Sequence, residues 1–139
     1  MDRATPEARG AGAPLLARFA ALAAGAPGLD LLVLHGSRAR GEAHAASDWD
    51  FAYLADPSFD PAALLARLVA EVGSERVDLA DLARASGLLR YRCARDGVAV
   101  HERDPGAFER FQLRAIAFWL DMAPVIRPEL DARLERIGA

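Results

Sequence analysis

The segment Asp48-Trp49-Asp50-Phe51-Ala52-Tyr53-Leu54 sets two acids at the head of an apolar strand, and few folds absorb that pattern. On a strand, residues two apart point to the same face, about 6.6 Å from each other along the chain. Asp48 and Asp50 therefore project together, while Trp49 faces the other side. Strand positions disfavour aspartate. Two like charges about 4 Å apart repel by about 4 kcal/mol at an effective dielectric of about 20. A cation that neutralises them resolves the conflict. Mg2+ fits best, because it prefers hard oxygen ligands and usually takes one or two carboxylates together with substrate phosphates. The competing possibility is a solvated loop pair in which Ser47-Asp48 caps a turn.

Around this segment helical and strand patterns alternate. Residues 1–13 are rich in Ala, Gly and Pro and are expected to fray. Pro14 opens a helix with Leu15, Leu16, Phe19, Leu22 and Ala23 on one face, ended by Gly25 and Pro27. Leu31 to His35 is a short apolar run, read as a buried strand that leads straight into Gly36-Ser37. Residues 38–43 predict a short helix and 44–47 a loop, before a strand from Trp49 to Leu54. Asp60-Pro61 is an N-cap followed by proline at the first helical position, and Leu64, Leu65, Leu68, Val69 and Val72 keep helical spacing up to Gly73. Arg76 to Leu82 predict a third strand. Ser86 caps a helix through Arg95, Val98 to His101 make a fourth strand, and Asp104-Pro105 opens a last long helix. The expected fold class is α/β (α+β), a small mixed sheet of about four strands flanked by helices. Its expected divisions are a flexible N-terminus over 1–13, one domain over 14–122 and a helical extension over 123–139.

The bulk properties exclude several classes. The 139 residues fit one domain. No apolar run approaches the length of about 20 needed to cross a bilayer. The start Met1-Asp2-Arg3 has no long apolar stretch behind it and is read as no secretory signal. The single cysteine, Cys93, cannot form an internal disulfide and fits a reducing compartment. A cytoplasmic location is expected. A net charge of −3 gives the whole molecule no pull toward nucleic acid or anionic membrane, so neither is an expected partner. All 17 basic residues are arginine, so every cation is a permanently charged fork suited to phosphate or carboxylate. The three histidines lack metal-ligand spacing, which argues against zinc.

Chemistry concentrates between residues 36 and 78. A glycine after a buried strand lets the backbone turn sharply and approach a ligand. The helix start behind Gly36-Ser37 offers N–H groups to an anion. The Ser37 hydroxyl can donate to a phosphate oxygen, and Arg38 or Arg40 can add a forked contact. The alternative is a tight turn with Ser37 as its cap. A third acid stands in the apolar strand pattern Val77-Asp78-Leu79. If that strand lies beside the Asp48–Asp50 strand, three carboxylates gather. Such a set suits two cations about 3.5–4 Å apart and in-line displacement at phosphorus. Asp78 could then accept the proton of the attacking hydroxyl. Asp81 is a rival, but its parity puts it on the opposite face, as a cap or surface residue.

Gly36-Ser37, ten intervening residues and then Asp48-Trp49-Asp50 resemble the signature of the DNA polymerase β-like nucleotidyltransferases. Gly-Ser-Arg-Ala-Arg-Gly at 36–41, Ser47-Asp48-Trp49-Asp50 and the later Val77-Asp78-Leu79 resemble the minimal nucleotidyltransferases among them. The likeness covers roughly residues 15–122. It implies an NTP, with ATP expected, bound with two Mg2+ ions over the sheet. By position, Gly36 and Ser37 would hold the triphosphate, Asp48 and Asp50 the metals, and Asp78 a metal and the acceptor hydroxyl. Trp49 is bulkier than the small or aliphatic residue expected between the acids. Many such proteins are antitoxins that adenylylate a tyrosine of a cognate HEPN-domain RNase toxin. The resemblance leaves two alternatives, transfer to a small molecule such as an aminoglycoside and an antitoxin that only covers its toxin.

The last helix carries two apolar stripes. Phe108, Phe111, Ala115, Phe118 and Met122 form one; Leu113, Ile116 and Leu120 form the other. One stripe is expected to face the core and the other a partner or a second copy of the chain.

Overall fold

Helices and strands alternate along the chain because apolar runs short enough for strands are separated by amphipathic stretches with their own caps. The computed structural model describes residues 13–136, and their side chains through residue 122. The expected fraying of 1–13 therefore lies outside the described residues except for Ala13. In order, the elements are α1 (Ala13–Ala24), β1 (Leu29–His35), α2 (Ser37–Arg40), β2 (Trp49–Ala55), α3 (Pro61–Val72), β3 (Val77–Asp81), α4 (Gly87–Asp96), β4 (Val98–Glu102) and α5 (Ala107–Arg136).

The strands form one mixed sheet in the order β3-β2-β1-β4. β1 pairs antiparallel with β2 and with β4, whereas β2 and β3 run parallel. The α/β fold with a four-strand mixed sheet matches the expectation from sequence. The continuous apolar run of β1 is explained by its central place, where Leu31, Leu32, Val33 and Leu34 are all buried.

Helices cover both faces. On one side α1 and α3 bring Phe19, Ala23, Leu64 and Leu68 onto Leu32, Leu34, Trp49 and Phe51. Phe19 is the centre of that layer, edge-on to Trp49 at 5.3 Å and to Phe51 at 5.0 Å between ring centroids. On the other side α4 and α5 bring Cys93, Ala94, Phe111 and Ala115 onto Leu31, Val33 and Ala52. Strand parity thus divides β2: Trp49 and Phe51 face α1 and α3, and Ala52 faces α4 and α5.

Local chemistry sets the helix ends. Asp60 accepts a hydrogen bond from the Ala63 amide at 3.2 Å ahead of Pro61, and Gly73 ends α3 in the left-handed region at φ 76°. Ser86 accepts from the Leu89 amide at 3.1 Å. The start of α5 differs from the expectation at Asp104-Pro105. The helix begins at Ala107, after a turn at Gly106 (φ 89°). The Glu102 carboxylate, at the end of β4, accepts from the Phe108 amide at 2.8 Å and satisfies the helix start from outside.

The stripes of α5 also need correction. Phe111 and Ala115 are buried and Phe108 packs with them, but Ile116 of the second stripe joins that layer too. Phe118 of the first stripe is 46% exposed, lying against Gly87, while Leu113 and Leu120 are 64% and 65% exposed. The helix backbone continues without a break through residue 123, where the extension was expected to begin. Among the described residues no helix is long and apolar enough to cross a membrane.

Replacing Phe19 with alanine removes the ring that joins Trp49 and Phe51 to α1. Phe19→Ala is expected to cost about 3–5 kcal/mol in urea unfolding. A loss below about 1 kcal/mol would show that this layer does not hold the sheet.

Candidate active site

The antiparallel register sets His35 of β1 opposite Asp50 of β2, and the parallel register sets Asp50 beside Asp78 of β3. Neighbouring strands lie about 4.8 Å apart, so these three side chains form a row across three strands. They share parity with Val33, Ala52 and Ala80, which pack on the α4–α5 side. Asp48 lies one residue before β2 and is 62% exposed, and Asp78 is exposed as well. Asp50 is half-buried between them. The pairing of Asp78 with Asp50, conditional in the sequence, is present.

β1 ends at this row, and the chain must turn away from Asp50. Gly36 does so with φ 74° and ψ −159°, a conformation L side chains rarely adopt. A Cβ at this position would also collide with the Asp50 carboxylate. Gly36 is the N-cap of α2 and its carbonyl accepts from the Ala39 and Arg40 amides at 3.1 and 3.2 Å. Ser37 therefore lies inside α2 and is not its side-chain cap. That removes the competing use of its hydroxyl.

The two arginines of α2 part company. Arg40 stands on the side of the acids, where its charge acts on Asp50, on His35 and on Asp96 at the end of α4; it also pairs with Glu42 at 3.3 Å. Arg38 was expected, with Arg40, as a phosphate contact. Its guanidinium instead lies over the Trp49 ring at 4.1 Å and donates to the Ser47 and His44 carbonyls. The reason is Trp49 itself. Its ring faces away from the acids, stacks with Phe51 at 6.4 Å and offers a flat surface at the sheet's end. The indole between the two acids packs in the core, on the side expected.

Electrostatics follow first from burial and then from the neighbouring charges. Burial raises the Asp50 pKa above the ordinary aspartate value; His35 and Arg40 pull it down, and Asp78 and Asp48 push it further up. Burial lowers the His35 pKa, against the raising influence of Asp50, the Phe51 backbone and Asp78. The buried Nε2 of His35 has no hydrogen-bond partner among the described residues. Burial, with the Asp50 charge second, pushes the Cys93 thiol up to about 12, so it is an inert part of the floor below Asp50. From its position directly before Gly36, His35 could be read as a phosphate contact or, more simply, as the end of its strand; its place opposite Asp50 comes from the pairing with the next strand. Asp81, as its parity required, caps a turn by accepting from the Ala83 amide at 2.9 Å.

Among the described residues, no three His, Cys, Asp or Glu side chains are gathered closely enough to hold a metal ion alone. The donors fit Mg2+ nonetheless. They are hard carboxylate oxygens, open to solvent at Asp48 and Asp78, and Mg2+ normally completes its shell with waters and substrate phosphates.

The family of the polymerase beta nucleotidyltransferases matches residues 20–106. A protein adenylyltransferase MntA of Aphanizomenon flos-aquae (strain 2012/KM1/D3) is 30% identical over 118 residues, covering 76% of this chain and 78% of that protein. The crystal structure of a toxin-antitoxin with AMP-PNP is similar with a TM-score of 0.69 and 26% identity, over 87% of this chain and 97% of the other. A mutant MntA-HpeT toxin-antitoxin structure gives 0.66 and 27%, over 78% and 88%.

The pKa shifts carry opposite signs for stability. A raised carboxyl pKa means that stability is lost as pH rises through the folded value, so Asp50 burdens the fold at neutral pH. Asp50→Asn is expected to raise the melting temperature by a few degrees at pH 7, the gain vanishing below the ordinary aspartate value of 3.8. His35 loses stability as pH falls through its unfolded value of 6.5, and His35→Phe should flatten that loss. Melting curves across pH test both. A lower melting temperature for Asp50→Asn at pH 7 would contradict the cost of burying this carboxylate beside like charge.

Proposed function

The chain belongs to the polymerase β nucleotidyltransferases, in their minimal branch, and from that premise we propose that it is a Mg2+-dependent adenylyltransferase. In this reading it moves AMP from ATP to a tyrosine hydroxyl of a cognate HEPN-domain toxin and so acts as an antitoxin in the cytoplasm. The observation that carries it is the register that aligns Asp50 with Asp78, with Asp48 two residues earlier and the Gly36-Ser37 turn at the adjoining strand end.

Gly36 lets the backbone approach the triphosphate closely, and the Ser37 hydroxyl donates to it. Arg40 offers the forked cation on the acid side. Mg2+ bound with the nucleotide would be held by Asp48, Asp50 and Asp78, and would neutralise charge on the attacking and leaving oxygens. Asp78, exposed at the sheet edge, accepts the proton of the acceptor hydroxyl. The bond from that oxygen to the α-phosphorus forms as the bond from the α-phosphorus to the bridging oxygen breaks. Pyrophosphate leaves. An exposed base on an edge strand suits a protein acceptor, which must approach from outside.

The related toxin-antitoxin structures and the protein adenylyltransferase relative support a toxin partner for this chain. We assign it to the apolar side of α5, where Leu113 and Leu120 are exposed. A second copy of the chain is the other occupant that this surface could take.

With labelled ATP, Mg2+ and the toxin encoded alongside, label is expected on the toxin. Asp48→Ala, Asp50→Ala and Asp78→Ala are each expected to lower the rate by about a thousandfold or more, in the range found when a catalytic unit loses a member. Undiminished labelling by these variants would sink the site. Complex formation without label from any NTP would favour an antitoxin that only binds, and label on an added aminoglycoside alone would favour a small-molecule acceptor.

Leu113→Glu with Leu120→Glu is expected to abolish toxin capture while the thermal unfolding curve keeps its shape. If the double variant instead turns a dimer into a monomer and still binds toxin, the surface serves a second copy.

A further inference from the structure

Asp48 is the one acid of the three that lies outside a strand, one residue before β2. Its side chain is 62% exposed, and its ion-pair partner, Arg76 Nη1, stands 3.9 Å away. Its position therefore depends on its backbone. The peptide unit is a rigid plane, so holding the two peptide groups that flank a residue fixes where its side chain leaves the chain.

Both planes beside Asp48 are held. On the far side, the Trp49 amide donates to the Arg76 carbonyl at 2.9 Å, drawing the peptide toward the start of β3. On the near side, the Ser47 carbonyl accepts from Arg38 Nε at 3.3 Å and Nη2 at 3.0 Å. The same Nη2 donates to the His44 carbonyl at 3.2 Å. Between those carbonyls the loop is closed on itself: the His44 amide donates to Ser47 Oγ at 2.9 Å, and the Ser47 amide to the His44 carbonyl at 2.9 Å. Arg38 thus grips a preformed loop at two points.

Arg38 is aimed by Trp49, whose ring lies 4.1 Å from the guanidinium carbon. Trp49 is in turn fixed by Phe19 and Phe51 in the core. A planar cation on an aromatic face, with a fork of donors at its rim, is a geometry lysine cannot copy.

We infer that Arg38 and Trp49 together form a clamp that positions Asp48, and that Arg38 is a positioning residue and not a ligand of the triphosphate. The clamp fixes the Ser47–Asp48 peptide from the Trp49 side of the sheet and makes no contact with the Asp48 carboxylate itself. It also accounts for the bulky residue between the two acids. The role of Asp48 rests on the function proposed above; the clamp itself does not.

The test uses the full chain and three readouts. In Arg38→Ala, hydrogen exchange of the Ala46 and Ser47 amides is expected to rise by about tenfold or more while the β1 amides keep their protection. Affinity for AMP-PNP with Mg2+ is expected to stay within about threefold, because no phosphate contact is lost. The rate of AMP transfer to the toxin is expected to fall by about 10–100-fold, as when the support of a metal-holding carboxylate is removed. Arg38→Lys should not restore the loop. Trp49→Leu should open the loop in the same way, and the double variant should be no worse than Arg38→Ala alone, as for two parts of one unit. Trp49→Phe keeps an aromatic face in the core and covers the case in which Trp49→Leu does not fold.

AMP-PNP affinity reduced by more than about tenfold with unchanged loop exchange would overturn the proposal and make Arg38 a phosphate ligand. Raised loop exchange with an unchanged transfer rate would overturn the positioning of Asp48. If the wild-type protein transfers no AMP, the function proposed above fails, while exchange and AMP-PNP binding still decide the clamp.

Discussion

The register of β2 is the constraint on which the rest of this molecule depends. One face of the strand carries Asp50 and Ala52, the other Trp49 and Phe51, and the two environments could hardly differ more. Slipping the strand by one residue would drive Asp50 into the aromatic layer around Phe19 and expose Trp49 beside the acids. The aromatic packing therefore does more than bury area. It forbids the alternative register, and so it fixes Asp50 opposite His35 and beside Asp78.

That arrangement asks the fold to hold an unfavourable site. Three acids crowd one end of the sheet, with burial and like charge raising the Asp50 pKa. His35 stays neutral by burial and leaves its Nε2 without a partner. Gly36 supplies a backbone conformation that a side chain would strain. Each of these costs stability locally, and each is offset by the two apolar layers above and below the sheet. Binding sites commonly carry such strain. Here its source is visible in particular residues.

How much of this the sequence revealed depended on the distance over which each feature is decided. Strand parity is local, so the common projection of Asp48 and Asp50 and the opposite facing of Trp49 could be read directly. Asp78 showed itself as an acid in an apolar strand, but its alignment with Asp50 needed the parallel pairing of β2 and β3. The place of His35 could not be read, because its neighbour Asp50 lies fifteen residues later and on another strand. The start of α5 was misplaced for a similar reason: its capping group, Glu102, belongs to the preceding strand. The stripes of α5 mixed Ile116 with Phe118, since adjacent helical stripes differ by little in angle and only the packed partner decides between them.

Arg38 illustrates a different limit. A motif fixes which residues recur, but the direction of a long flexible side chain is set by what surrounds it. Arg38 and Arg40 are two residues apart on a short helix, so they cannot share a face. One of them was bound to point away from the acids, and the sequence did not say which. Trp49 answers that question. Its ring lies on the side of α1 and α3, and a guanidinium stacked on it is held away from the acids, with its donors aimed at the Ser47 and His44 carbonyls. The two arginines then divide the work by side of the sheet, Arg40 facing the acids and Arg38 tying down the loop that delivers one of them. A bulky indole inside an acidic motif is thus consistent with the chemistry beside it, because the residue that faces away from the site determines how the loop is held.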